Sequence, residues 1–435
     1  MTDTTSEYPH ANANKENATL RVSSLKRKRK DPSSPGTQQD DMQGEINDFY
    51  KWFPSLKNDY EILTKIGEGT FSTVYKAKDL RFRRYQNDDW IRLATFTTGQ
   101  NSCTNGKNND TDEIDDRGGN KKNIGGVERA VAYPYVAIKR IYHTSSPERM
   151  VNEIAVLRDL RGSDHVVPLI TAERYEDQLI CVLPFFEHED FRDYFHTLSL
   201  DEIQDYCREL FKALAHVHSK RILHRDVKPS NFLYSRLKRR GLLADFGLAQ
   251  REEKPALPRK RKIDSHIEAQ LIAARGRPGF LAHDTRPTAK ANRAGTRGFR
   301  APEVLFKVAH QTTAIDIWSV GVIMISLFTG LFPFFQSNDD GEALIELGNL
   351  FGKKALKEVA ATFNRTFDTN IPDIGPRQDL KKLCLSLRYT IATNISDEGY
   401  DLLERCFDLN PTTRITADEA LSHPFLREYS FESET

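Results

Sequence analysis

The sequence predicts an α+β fold in two unequal parts: a strand-rich amino-terminal part holding one helix, then a larger and mostly helical part. Three observations carry this. Short runs of β-branched and aromatic residues recur between residues 60 and 183, and from residue 200 the apolar positions change to helical spacing. Two stretches, residues 86–127 and 250–294, lose all apolar pattern and read as long surface insertions. No internal repeat is present.

The elements follow in order. Residues 1–45 hold almost no aliphatic side chains, cannot offset the entropy of ordering, and are expected to form a disordered tail. Within it Lys26-Arg27-Lys28-Arg29-Lys30 is a solvated charge run that also reads as a nuclear-import signal. Strands are expected at residues 60–63 and 72–77, and again at 135–142 once the Asn/Gly/Asp/Thr-rich first insertion ends. A helix follows, with Ser146 as N-cap, Pro147 at its first position, and Met150, Ile154 and Leu157 at helical spacing. Further strands are expected at 166–169 and 179–183. Beyond them Ile203, Cys207, Leu210, Leu214 and Val217 share one face of a long helix.

Composition narrows the function classes. The 435 residues are 38% hydrophobic and 29% charged, with a formal net charge of +1, which excludes a wholly basic nucleic-acid coat or an acidic tail protein. Cys103, Cys181, Cys207, Cys384 and Cys406 stand far apart, with no C-x-x-C spacing, which argues against a disulfide framework or zinc site and fits a reducing compartment. The polar amino terminus shows no signal peptide. Residues 317–335 run uncharged for 19 positions, about a membrane span. Ser319, Gly321 and Pro333 within the run, and Asp316 at its border, make it a buried core helix instead. A soluble intracellular protein is expected.

The chemistry lies in a series of short motifs. Ile66-Gly67-Glu68-Gly69-Thr70-Phe71-Ser72-Thr73-Val74 sits between the first two strands, where glycines let a backbone approach a phosphate that a Cβ would block. Ser72 replaces the third glycine of G-x-G-x-x-G, so alone this reads equally as a hairpin turn. The partners arrive in order: Val136-Ala137-Ile138-Lys139 on a strand, Glu153 on the helix 14 residues later, then His224-Arg225-Asp226-Val227-Lys228-Pro229-Ser230-Asn231, Asp245-Phe246-Gly247 and Ala301-Pro302-Glu303. This set resembles the eukaryotic protein kinases over residues 58–428. The resemblance implies a bilobal kinase fold, with a small antiparallel β-rich N-lobe, one key helix and a larger helical C-lobe.

By the same resemblance, Asp226 aligns the substrate hydroxyl and accepts its proton, and Lys228 steadies the γ-phosphate. Asn231 and Asp245 hold Mg²⁺. Ile66, Gly67, Gly69, Val74, Ala137, Lys139, Glu153, Leu183, Pro184 and Phe186 form the ATP site, with Lys139 on the α- and β-phosphates and Glu153 pairing it. Leu183 is the gatekeeper. Pro184 lacks an N–H but need offer only its carbonyl to adenine, while Phe186 supplies the donor. Lys228-Pro229 marks a serine/threonine rather than a tyrosine kinase. Asp316-Ile317-Trp318-Ser319-Val320-Gly321 matches the opening of the kinase central helix, and Arg414 is expected to pair with Glu303.

Two intervals are unusually long, 72 residues from Gly67 to Lys139 and 58 from Asp245 to Glu303. Together with Asn152-Glu153-Ile154, Leu183-Pro184-Phe185-Phe186-Glu187-His188, Val227-Lys228-Pro229-Ser230-Asn231-Phe232-Leu233-Tyr234 and Ala294-Gly295-Thr296-Arg297-Gly298-Phe299-Arg300, they closely resemble the cell division cycle 7 kinases. That family implies a Dbf-four-type regulatory subunit, the MCM replicative helicase as substrate, nuclear localisation, and a role in firing replication origins. Residues 429–435 leave only a short tail beyond the kinase region. Thr296, Arg297 and Arg300 are expected at the substrate, the arginines favouring an acidic or phosphorylated neighbour, although Arg300 serves equally as a buried ion-pair partner. Residues 250–295 carry 11 Lys/Arg against 5 Asp/Glu. Arg225 is placed to receive a phosphate, with Ser265, Thr285 and Thr288 as candidate sites. The regulatory subunit, more than a phosphate, is expected to order the Glu153 helix. Direct DNA binding by the basic insertion is not expected, since it lacks interleaved aromatics. Another acid-directed or cyclin-dependent-type nuclear kinase, or a pseudokinase scaffold, are the alternatives.

Overall fold

The computed structural model describes residues 35–69, 72–84, 90–94, 132–142, 146–176, 178–253, 295–369, 371 and 374–427. The basic run at 26–30, Cys103, most of the first insertion, Ser265, Thr285, Thr288 and the last eight residues lie outside them. The chain divides into two units, residues 1–49 and 50–435. Helix α1 (Pro35–Trp52) begins ten residues inside the stretch expected to be unordered. Proline opens it, where a fixed φ and a missing N–H cost nothing. Within the second unit, the Tyr50 hydroxyl donates to the Tyr60 carbonyl at 2.8 Å and accepts the Ile62 N–H at 3.0 Å.

The N-lobe is a five-stranded antiparallel sheet in the order β1 (Tyr60–Glu68), β2 (Ser72–Asp79), β3 (Tyr135–Ile141), β5 (Gln178–Pro184), β4 (Thr171–Tyr175). Strands β2 and β3 pair without a break from Ser72↔Ile141 to Lys78↔Tyr135, despite the insertion between them. The insertion leaves and returns at one point: the Asp79 N–H donates to the Pro134 carbonyl at 3.0 Å. Part of it is packed, because Trp90 and Leu93 are buried around the single turn Ile91–Leu93. Helix α2 (Pro147–Asp159) starts as its sequence predicts, Ser146 Oγ accepting the Arg149 N–H at 3.3 Å. The strand expected at 166–169 is not formed. The Val167 N–H instead donates to Leu243 of the other lobe at 3.0 Å, and strand structure begins at Thr171.

The C-lobe holds α3 (Phe191–Tyr194), α4 (Leu200–Ser219), the strand pairs β6 (Ile222–Leu223) with β9 (Gln250–Arg251) and β7 (Phe232–Ser235) with β8 (Arg240–Leu243), then α5 (Pro302–Leu305) and α6 (Ala314–Thr329). The helices α7 (Asp340–Phe351), α8 (Lys353–Thr362), α9 (Leu380–Leu387), α10 (Tyr389–Ala392), α11 (Asp397–Cys406) and α12 (Ala417–Leu421) surround them. Ser199 and Glu202 form a capping box that starts α4, whose face Ile203, Cys207, Leu210, Leu214 and Val217 is buried as its spacing requires. Helix α6 takes up the uncharged run only as far as Thr329: Ile315 to Thr329 are all buried, Asp316 included, and Gly330 ends the helix with φ 69°, leaving 331–335 outside it. No helix among the described residues is long and apolar enough to cross a membrane. Cys181, Cys207, Cys384 and Cys406 are free and buried, and desolvation pushes the first three thiols up to about 12. Gln250 and Arg251, at the head of the expected second insertion, are drawn into β9 by pairing with Leu223 and Ile222.

Candidate active site

The cleft face of the sheet follows from register, since directly paired residues point to the same side. Gly67 pairs with Val74, Val74 with Lys139, and Ala137 with Leu183. These residues line one face, while Val136 and Ile138 are fully buried on the other. A Cβ at Gly67 would lie 3.7 Å from that of Val74, in ordinary contact, so this glycine is not demanded by the protein's own packing. The loop is closed by the Gly69 N–H donating to the Ser72 carbonyl at 2.8 Å. Ile66 is half-exposed at the rim. Beyond Pro184 the Phe185 N–H continues the ladder by donating to the Tyr135 carbonyl at 3.0 Å, and Phe186 is buried.

Lys139 gathers the charged residues of the cleft. Its Nζ lies 2.7 Å from Glu153 Oε1 and 2.8 Å from Asp245 Oδ1. Burial works against the ammonium, yet Glu153 and Asp245 together hold Lys139 above the usual lysine value. Burial likewise opposes ionisation of Asp245, but the Lys139 charge keeps its carboxyl below the usual range. Helix α2 is docked by a second contact, Asn152 Nδ2 donating to the Ala249 carbonyl at 2.8 Å. Asp245 takes φ 62°, which turns Phe246 into the core against His224, with ring centroids 4.8 Å apart.

The catalytic-loop cluster is equally well knit. Asp226 Oδ1 accepts the Thr296 N–H at 2.9 Å and its hydroxyl at 2.6 Å. Oδ2 lies 2.8 Å from Lys228 Nζ and 3.1 Å from Asn231 Nδ2. Both oxygens are held, so the carboxylate plane is fixed. Because the Asp226 N–H donates to His224 Nδ1 at 3.3 Å, the imidazole proton sits on Nε2, which donates to the Ala244 carbonyl at 2.9 Å.

Asp316 anchors this loop, a role its motif alone did not disclose. Buried at the start of α6, it accepts the His224 N–H on Oδ2 and the Arg225 N–H on Oδ1, both at 2.8 Å, with His218 Nε2 2.9 Å from Oδ2. Burial would raise its pKa, but the hydrogen bonds from His218 and from the His224 N–H hold it below the ordinary carboxylate value. The signal was present in the sequence: a carboxylate bordering a buried uncharged helix must be compensated by donors from elsewhere.

The three residues expected at the substrate separate. Thr296 belongs to the catalytic cluster, bridging Asp226 and Lys228, whose Nζ donates to its hydroxyl at 2.9 Å. Arg300 takes the structural option, with Nη1 2.9 Å from Asp340 Oδ1 and Nη2 donating to the Gly295 carbonyl at 2.8 Å. Arg297 is the exposed one, touching the Asn338 carbonyl. Arg225, expected to take a phosphate, donates to Gln250 Oε1 at 2.9 Å and Gln311 Oε1 at 3.3 Å. Arg414 and Glu303 do pair, Nη1 donating to Oε1 at 2.7 Å and Nη2 to Oε2 at 3.0 Å, with the side chains 0% and 2% exposed.

A magnesium ion fits the donors present. Asp245 and Asn231 offer hard oxygens, and Asn231 gives its Nδ2 to Asp226, which reserves Oδ1 as an acceptor. Among the described residues no group of three or more His, Cys, Asp or Glu is placed to hold a metal. An ion shared with substrate phosphates needs only one or two protein ligands.

The protein kinase domain profile matches residues 123–426. Its match begins beyond the glycine loop, which the sheet register nevertheless joins to Lys139. The cell cycle serine/threonine-protein kinase hsk1 of Schizosaccharomyces pombe is 40% identical over 88% of this chain and 75% of its own length. The cell cycle protein kinase spo4 of the same yeast is 38% identical over 88% of both. The probable cell division control protein 7 homolog 1 of Encephalitozoon cuniculi is 37% identical over 84% of this chain and 91% of its own. With the motifs in order, the cleft assembled and the likeness running nearly end to end, this chain belongs to the protein kinase family, among the cell-cycle serine/threonine kinases of the cell division cycle 7 type.

Proposed function

We propose that the chain is the catalytic subunit of a replication-initiating kinase, transferring the γ-phosphate of ATP to serine or threonine in acidic contexts on the MCM helicase. The observation that carries the reading is the concurrence of two assembled clusters, Lys139–Glu153–Asp245 and Asp226–Lys228–Thr296. Phosphoryl transfer needs positioning and charge neutralisation more than covalent chemistry, and these clusters supply both. Lys139 would hold the α- and β-phosphates, Asp226 would align the incoming hydroxyl and take its proton, and Lys228 would steady the transferred group. Asp245 and Asn231 would hold Mg²⁺. When bound, the ion neutralises charge on the β- and γ-phosphates. Ile66, Val74 and Ala137 would cover the adenine ring from above.

Arg297 is the better candidate for reading an acidic neighbour of the target, because Arg300 is already neutralised by Asp340. A Dbf-four-type regulatory subunit would stabilise α2 in its docked position, and the run at residues 26–30 would direct the protein to the nucleus. The decisive assay is radiolabelled phosphate transfer to an MCM amino-terminal tail, with and without the regulatory subunit, against Asp226→Asn. Transfer lost in the variant and raised by the subunit supports the reading. Full activity of the chain alone overturns subunit dependence, and transfer that requires a cyclin overturns the replication assignment. A peptide array lacking preference for Asp, Glu or phosphoserine beside the target removes the role of Arg297.

A further inference from the structure

Behind the strand assigned to adenine lies a small apolar cluster that the kinase motifs leave unexplained. Leu93, Val167 and Phe186 are each 3% exposed and Leu242 is 0%, with Leu183 and Leu233 packed against them. Val167 comes from the loop between α2 and β4, Phe186 follows β5, and Leu242 lies on β8. Leu93 comes from the first insertion. There Trp90, Ile91 and Leu93 stand together at the head of a run rich in Asn, Gly, Asp and Thr. The turn they form is closed by the Leu93 N–H donating to the Trp90 carbonyl at 2.8 Å, and Trp90 is itself buried.

This turn sits on the seam between the lobes. Arg92 pairs with Asp164, whose carbonyl also accepts Arg240 Nη2 at 2.8 Å from the start of β8. Beside it the Leu243 N–H donates to the His165 carbonyl at 2.8 Å. Leu93 therefore touches a block in which the loop after α2, the adenine strand and β8 meet. Phe186 is the member with a chemical task, since its backbone must present a donor to adenine. Its carbonyl lies 2.9 Å from His188 Nδ1 and its ring lies 5.3 Å from the Lys238 amine. Leu93 packs in the same cluster, so what fills that space fixes where the backbone stands.

We propose that Leu93 is a positioning residue for the nucleotide, acting through Phe186, and that residues 91–93, pinned by Arg92, strap the back of the adenine strand. The inference rests on the assignment of Leu183, Pro184 and Phe186 as that strand. Removing the Leu93 side chain leaves a hole that Phe186 relaxes into, drawing the adenine contacts out of register.

The test measures the affinity of the full-length chain for ADP with magnesium by calorimetry, and KM for ATP and kcat in the transfer assay. Leu93→Ala is expected to raise both Kd and KM about tenfold, within the hundredfold that a misplacement of about 1 Å costs. Leu93→Val should show a smaller rise, and Leu93→Met should restore wild-type values. A role in stability alone would lower the folded fraction and hence the maximal rate, while leaving Kd and KM of the folded molecules unchanged. Should Leu93→Ala fail to fold, Leu93→Val carries the same distinction with one methylene removed. Phe186→Pro, which removes the donor N–H, separates the two readings. Unchanged affinity in the Leu93 variants with weakened affinity in Phe186→Pro overturns the strap alone. Unchanged affinity in all of them overturns the adenine strand and the strap with it.

Discussion

Thr296 and Asp226 are joined twice: the backbone N–H and the hydroxyl of Thr296 both reach Oδ1 of Asp226, at 2.9 and 2.6 Å. Thr296 lies beyond the second insertion, 70 residues from the aspartate it orients. The segment that follows the insertion thus completes the catalytic loop.

Replacing Thr296 by alanine removes one of these bonds and the acceptor for Lys228. A hydrogen bond to a charged group contributes about 1.5–3 kcal/mol, so kcat should fall about tenfold to a hundredfold. KM for ATP should not change, and Thr296→Ser should recover most of the rate. Steady-state kinetics on the three proteins decides this. An equal loss in the serine variant would assign the effect to the methyl group.

Asp316→Asn should impair both folding and catalysis, because an amide cannot accept all three of the bonds that the carboxylate takes from His218, His224 and Arg225. Removing a buried, hydrogen-bonded charge of this kind costs about 3–5 kcal/mol. Its pH dependence has a definite sign. The folded-state pKa is depressed, so the aspartate's contribution is present above its unfolded value of 3.8 and disappears as pH falls through the lower folded value. Melting curves of the two proteins should therefore differ at pH 7 and converge in acid.

Asp79 shows the opposite sign. Burial, reinforced by nearby Asp59, pushes its carboxyl up to about 6, although the Arg81 N–H donates to it at 3.0 Å. The folded state binds this proton more tightly than the unfolded chain, so stability declines as pH rises from about 4 to 6 and stays lower above. Asp79→Asn should stabilise the protein by about 3 kcal/mol at pH 7.5 and by no more than about 0.5 kcal/mol near pH 4. Denaturant titrations at the two pH values test it, and equal shifts at both would refute the titration.

The ion pair between Glu303 and Arg414 is enclosed by protein on all sides, and the guanidinium also donates to the Ala314 and Asp408 carbonyls at 2.7 and 2.8 Å. Arg414→Met alone should cost about 3–5 kcal/mol by stranding the carboxylate. The double variant Glu303→Leu with Arg414→Met should recover much of that loss, as a double-mutant cycle would register.

The residues that the structure gathers in the cleft were legible because each motif is local: a glycine loop, a strand lysine, and a loop carrying Asp226, Lys228 and Asn231 within six positions. The helix start at Ser146 and the apolar face of α4 were legible for the same reason, since caps and periodicity are read within a few turns. What escaped depended on distant partners. Arg300 carried two equally good readings until Asp340, 40 residues on, was brought against it. Val167 looked like a strand residue, but its N–H was claimed by Leu243 of the other lobe. Leu93 was hidden by the composition around it, which described the insertion as a whole and missed the apolar turn at its head.

The junction of Asp79 with Pro134 has a practical consequence. Because one hydrogen bond closes the two ends, the β2–β3 ladder from Ser72↔Ile141 to Lys78↔Tyr135 is complete without any of the chain between them. Foreign sequence grafted just before Pro134 would leave the sheet and the turn behind Phe186 in place. The same graft between Asp79 and Trp90 would loosen that turn, so this kinase carries neighbouring permissive and sensitive sites for a reporter of nucleotide occupancy.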